Sequence, residues 1–96
     1  MNLLSVAKKD YKSDEKQLIA SLGNGDQDVF RYIIKSYQKS VIRICKGFVN
    51  NQEDAEDIAQ DVFIQLYKSA SRLRGEARLS TWLYRVAVNK SLNHIA

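Results

Sequence analysis

Two stretches of this chain carry polar side chains at helical spacing, and each suits a different surface chemistry. Asp57, Gln60, Asp61, Ile64 and Lys68 recur at intervals of three and four residues, which puts them on one stripe of a helix. Ile64 sits in the middle of that polar stripe, where burial in a partner is more favourable than burial within its own domain. Acids that merely solvate a helix, with one scattered apolar residue among them, would have the same composition. In the second stretch, Arg72, Arg74 and Arg78 crowd around Gly75, and Trp82, Arg85, Asn89 and Asn93 follow on one helical stripe, with Lys90 adding a further cation. Those types suit nucleic acid: indole stacks on bases, amides hydrogen-bond base edges, and guanidinium groups hold phosphate. Core packing competes for Trp82. Asn89, in mid-helix among apolar neighbours, calls for either a recognition role or a buried hydrogen bond.

Catalytic constellations are missing from the sequence. It has no glycine-rich phosphate loop and no nucleophile–base pair, and His94 stands alone as a surface or cap residue. Cys45 belongs to an apolar stripe and reads as a small hydrophobe. The acids from Glu53 to Asp57 fall on several helix faces and lack the central glycine of a calcium loop. A binding protein without metal or cofactor is expected, not an enzyme.

Positioning these groups falls to a small helical scaffold. Ninety-six residues, 45% apolar and 27% charged, fit one domain. A single cysteine forms no internal disulfide and is compatible with a reducing cytoplasm; without a long apolar run or a secretory signal, the chain reads as cytoplasmic, with no membrane insertion. Zero prolines and four glycines favour long helices, so the expected fold class is all-α, a bundle of about four helices. The net charge of +4 is segregated: five acids and no base lie between Asn51 and Asp61, whereas six bases face Glu76 alone from Val62 to Ala96. Two surfaces with two partners, one basic and one anionic, follow from that split.

Residues 1–13 read as a loose or partly helical leader, and the domain proper as 14–96. A first helix over Asp14–Leu22 ends at Gly23-Asn24-Gly25, and Asp26 caps the second. Phe30, Ile33, Ile34, Tyr37, Val41, Ile44, Cys45 and Phe48 form the core face of that second helix, opposite Arg31, Lys35, Lys39, Arg43 and Lys46. Asn51 caps a third helix whose core face is Ala55, Ile58, Ala59, Val62, Phe63, Leu66 and Ala70. Residues 69–80 lose the period and read as an exposed loop. Ser80 is the expected cap of a fourth helix, whose Leu83, Tyr84, Val86, Ala87, Val88, Leu92 and Ile95 cover much of its circumference.

The segments DAEDIAQDVFIQLYK (54–68) and STWLYRVAVNKSLN (80–93), joined by RLRGEARL, resemble region 2 of bacterial RNA polymerase sigma factors of the extracytoplasmic-function group, and GNGDQDVFRYIIKSY (23–37) is similar to the start of the family's first long helix. The resemblance extends over about residues 14–96. It implies that the third helix docks on the clamp helices of the largest polymerase subunit through Asp57, Gln60, Asp61 and Ile64, with Lys68 at the end of the stripe. It also implies that the loop and fourth helix open the promoter −10 element and hold its non-template single strand. Leu73, Arg74, Thr81, Trp82, Arg85 and Asn89 carry over to that surface, Asn89 at a flipped base, while Arg72, Arg78, Lys90 and Asn93 flank it. An anti-sigma factor is a further partner that the resemblance implies.

Two departures stand out. Leu73 occupies a position where many members have an aromatic residue, which leaves apolar contact in place of stacking. The family's downstream helix-turn-helix domain, which reads the −35 element, has no counterpart here, so the chain resembles an excised domain that would not direct transcription efficiently alone. Two other classes remain on the residues themselves. A duplex-binding helix-turn-helix regulator needs a turn of about three to four residues, and here 12 residues run from Ser69 to Ser80. A helical adaptor without a nucleic-acid role is the second.

Overall fold

The computed structural model describes residues 15–73 and 78–96. Among these residues there are four α-helices, α1 (Glu15–Gly23), α2 (Gln27–Val49), α3 (Gln52–Ser69) and α4 (Leu79–Ile95), with a 3₁₀ turn at Ala70–Arg72. The all-α expectation is met. The expected leader, residues 1–13, and Asp14 lie outside the described residues, as do residues 74–77 of the loop, Arg74 among them.

Local chemistry sets most of the boundaries. Asp26 has extended backbone and its carboxylate accepts from the Asp28 and Val29 N–H groups, satisfying donors that the first turn of α2 leaves free. Gly25 takes the left-handed conformation (φ 84°) that lets the chain reverse between α1 and α2. Asn50 ends α2 in the same left-handed region, and the Asn51 side chain accepts from Asp54 N–H to start α3. The two-residue connection leaves α2 and α3 as antiparallel neighbours, with α4 packed against both. Leu22, Ile33, Leu66, Leu79 and Leu83 are almost fully buried at the centre. Each such side chain contributes about 1.5–3 kcal/mol of transfer free energy.

Two local expectations are corrected. Ser80 does not cap α4: the helix begins one residue earlier, Ser80 is exposed, and Arg78 at the N-cap position makes no side-chain cap bond. The Leu79 N–H is instead bonded at 2.8 Å by Oε2 of Glu15, from the other end of the chain. Phe48, assigned to the core face of α2, is 38% exposed. On α4, Tyr84, Leu92 and Ile95 are exposed, because only Leu79, Leu83, Val86, Ala87 and Ser91 turn fully toward α2 and α3. No neighbouring helix covers the other side of α4 among the described residues.

Candidate functional site

The five stripe residues Asp57, Gln60, Asp61, Ile64 and Lys68 are all exposed and form the crest of α3. Ile64 leaves 44% of its surface open, while Phe63 beside it and Leu66 two residues on are buried. Grooves run along both sides of the crest. Toward α2 a cleft of about 650 Å³ is lined by Asp57, Gln60 and Ile64 from α3 and by Phe30, Ile34, Gln38 and Ile42 from α2. Toward α4 a smaller groove of about 300 Å³ holds Asp61 with Ile58, Lys90, Asn93 and His94. The crest is thus flanked by apolar side chains on the α2 side and by polar groups on the α4 side.

Sequence reasoning placed Phe30 and Ile34 in the core and passed over Ile42; all three are half-buried and line the larger cleft. The signal was available: the apolar stripe of α2 is wider than one facing helix can cover, and the surplus lies beside the α3 crest.

The described groups expected to meet nucleic acid divide into three sets. Arg72, Arg78, Thr81, Arg85 and Asn89 are exposed on the described ends of the loop and along α4. The exposure of Asn89 removes the alternative of a buried hydrogen bond. Leu73 and Trp82 are half-buried and packed against the core, so their outer faces sit on a fixed support. Lys90 and Asn93, by contrast, line the α3–α4 groove beside Asp61. His94 Nε2 lies 3.3 Å from Asp54 Oδ2, which ties the end of α4 to the start of α3. The acidic crest and the basic helix therefore meet along one seam.

Burial acts on two ionisable groups of the scaffold among the described residues. Burial pushes the Tyr37 phenol up, helped by the Glu15 charge and by Tyr32. Burial also pushes the Cys45 thiol up, with the Ser91 hydroxyl opposing it. Cys45 is fully buried in the core, and Ser91 Oγ beside it makes no conventional hydrogen bond. Among the described residues no group of three His, Cys, Asp or Glu side chains could hold a metal ion, and no helix is long and apolar enough to cross a membrane.

Residues 33–96, from mid-α2 to the end of α4, match the family profile of Sigma-70 region 2. The RNA polymerase sigma-H factor of Pseudomonas aeruginosa is 32% identical over 84 residues, covering 88% of this chain and 44% of that protein. The ECF RNA polymerase sigma factor SigW of Bacillus subtilis is 36% identical over 80 residues, covering 83% and 43%. The ECF RNA polymerase sigma-E factor of Escherichia coli K12 is 32% identical over 81 residues, covering 84% and 42%. The chain spans less than half the length of these relatives. Among solved structures, the NMR structure of an engineered region 2 of sigmaE in complex with GTAAAA is similar at a TM-score of 0.78 and 30% identity, covering 88% of this chain and 87% of that one. With a profile match running from mid-α2 through α3 and α4 and extracytoplasmic-function sigma factors as its relatives, the chain belongs to the sigma-70 region 2 family.

Proposed function

We propose that this domain docks on core RNA polymerase through the α3 crest and holds the unpaired non-template strand of a promoter −10 element on α4 and the loop before it. One observation carries the reading. Ile64 stands 44% exposed on the crest of α3, while Thr81, Arg85 and Asn89 are exposed at four-residue spacing along the next helix. The crest suits the clamp helices of the largest polymerase subunit: Asp57, Gln60 and Asp61 supply complementary charge and register, and Ile64 supplies a contact that excludes water. Arg72, Arg74 and Arg78, which precede α4 in sequence, and Arg85 and Lys90 within it are candidates for phosphate, and Asn89 for a base edge, with Leu73, Thr81 and Asn93 as further contacts. A related domain of known structure is bound to GTAAAA, which favours single-strand recognition.

No covalent step is required. Unstacking a base costs a few kcal/mol, and a stacking contact returns about 1–3 kcal/mol per base. Trp82, held by packing against the core, offers such a contact without first having to be ordered. The test is titration of the protein into fluorescent oligonucleotides containing GTAAAA, single-stranded and duplex, each at two salt concentrations. The single strand should bind at least about tenfold tighter, and log affinity should fall with log salt at about 0.7 per phosphate contact. Equal binding to the two forms would refute single-strand recognition.

A further inference from the structure

Helix α1 lies wholly before Ile33, where the family match begins. Both of its ends nonetheless touch the chain on either side of the segment that joins α3 to α4. At the first end, Glu15 Oε2 accepts from Leu79 N–H at 2.8 Å, across 64 residues of sequence. Arg78 gives α4 no side-chain cap, so this carboxylate supplies the acceptor that a local Ser, Thr, Asp or Asn would otherwise provide. At the second end, Gly23 lies directly against the 3₁₀ turn: a β-carbon there would come within 3.1 Å of Ser71 Cα and 3.3 Å of the Ala70 carbonyl oxygen. These neighbours are backbone atoms, which cannot rotate aside. Between the two ends, Leu18, Ile19 and Leu22 are buried and fix α1 to the bundle. Eight helical steps separate Glu15 from Gly23, a rigid spacing of roughly 12 Å.

We propose that α1 is a brace that holds the first turn of α4 at a fixed spacing from the 3₁₀ turn, with Glu15 as a positioning residue for that first turn. This rests on the reading of α4 as the single-strand surface. Thr81, Trp82 and Arg85 all lie within two turns of the bonded amide, so the orientation of that first turn sets where their side chains stand. Recognition geometry tolerates errors of only about 0.5 Å, so a loosened first turn loses base discrimination before it loses charge attraction.

The experiment uses Glu15→Ala and Glu15→Gln in the full 96-residue chain. Amide hydrogen exchange is read together with affinity for a GTAAAA single strand, for a base-substituted strand and for a clamp-helix fragment of polymerase. In Glu15→Ala, exchange at Leu79 and Ser80 should rise about tenfold while the amides of α2 and α3 hold their protection. Affinity for the GTAAAA strand should fall about three- to tenfold, the base-substituted strand less, and clamp affinity not at all. Glu15→Gln keeps an oxygen that can accept and should restore most of both effects. Should Glu15→Ala unfold, Glu15→Asp makes the same test, its carboxylate too short to reach the amide. Unchanged exchange at Leu79, or faster exchange with unchanged preference between the strands, overturns the brace. A wild-type chain that binds single strand and duplex equally overturns the function reading first, a result seen before any variant is made.

Discussion

Replacing Ile64 with Ala or Asp tests the crest of α3. With 44% of its surface open, the side chain exposes on the order of 80 Å², worth about 2 kcal/mol at 25 cal/mol per Å² if docking covers it completely. Alanine keeps part of that contact, so Ile64→Ala should weaken binding to a clamp-helix fragment by about 1–1.5 kcal/mol, roughly tenfold. Aspartate also buries a charge among Asp57 and Asp61 and should weaken it by at least about 2 kcal/mol, or thirtyfold. The fold should barely notice, because exposed substitutions away from caps and cores usually change stability by about 0.5 kcal/mol or less. Leu66→Ala, at a fully buried position two residues on, provides the contrast and should cost about 2–5 kcal/mol of stability. Calorimetric titration gives the affinities, and urea unfolding followed by circular dichroism gives the stabilities. Wild-type affinity in both Ile64 variants, with folding intact, would show that the crest is a solvated face.

Asn89→Ala should relax discrimination at one base of the single strand by about 1–3 kcal/mol, whereas Arg85→Ala should weaken all strands alike; a panel of single-base variants separates them, and a uniform loss for Asn89→Ala refutes its reading role. Gly25→Ala should lower stability by about 1 kcal/mol in urea unfolding, because φ is 84° there and a β-carbon strains that backbone. Ser91→Ala removes a buried hydroxyl without a conventional partner and should leave stability unchanged or higher by up to about 1 kcal/mol; a clear loss would mean that the contact with Cys45 is a real bond. The Cys45 thiol is raised in the folded chain, so its stabilising contribution is intact below the ordinary thiol value of 9.0 and declines as pH rises past it toward the folded value. Unfolding followed between pH 8 and 11 should show that slope, and Cys45→Ala should reduce it.

Sequence pattern revealed the bundle wherever the deciding interactions are local. Asp26 and Asn51 cap the helices they precede, and the core face of α3 is buried as its period requires. The buried side of α4 was not legible for a physical reason: apolar residues surround most of that helix, so periodicity alone cannot choose between the side holding Leu83 and Val86 and the side holding Tyr84, Leu92 and Ile95. The cap of α4 was illegible for another. A local rule selects Ser80, whereas the real acceptor is a carboxylate 64 residues away, which only the packed bundle brings near. Exposure of the α3 crest was legible because a polar stripe with one isoleucine is itself a periodic pattern. The two grooves beside it depend on how α2 and α4 flank α3, and no single helix encodes that.

The Glu15–Leu79 hydrogen bond also fixes an order of events along the folding route. Closing a loop of 64 residues costs about 3–4 kcal/mol of chain entropy, whereas one such bond returns about 1.5–3 kcal/mol even with a charged acceptor. The contact cannot therefore nucleate anything; it forms only after the α2–α3 and α3–α4 hairpins, built from short-range contacts, have gathered the two ends. It is correspondingly among the first to be given up when heat, denaturant or a distant core mutation loosens the bundle. The first turn of α4 thus reports on the integrity of the packed bundle, and the surface proposed for nucleic acid is fully formed only when α1 is docked.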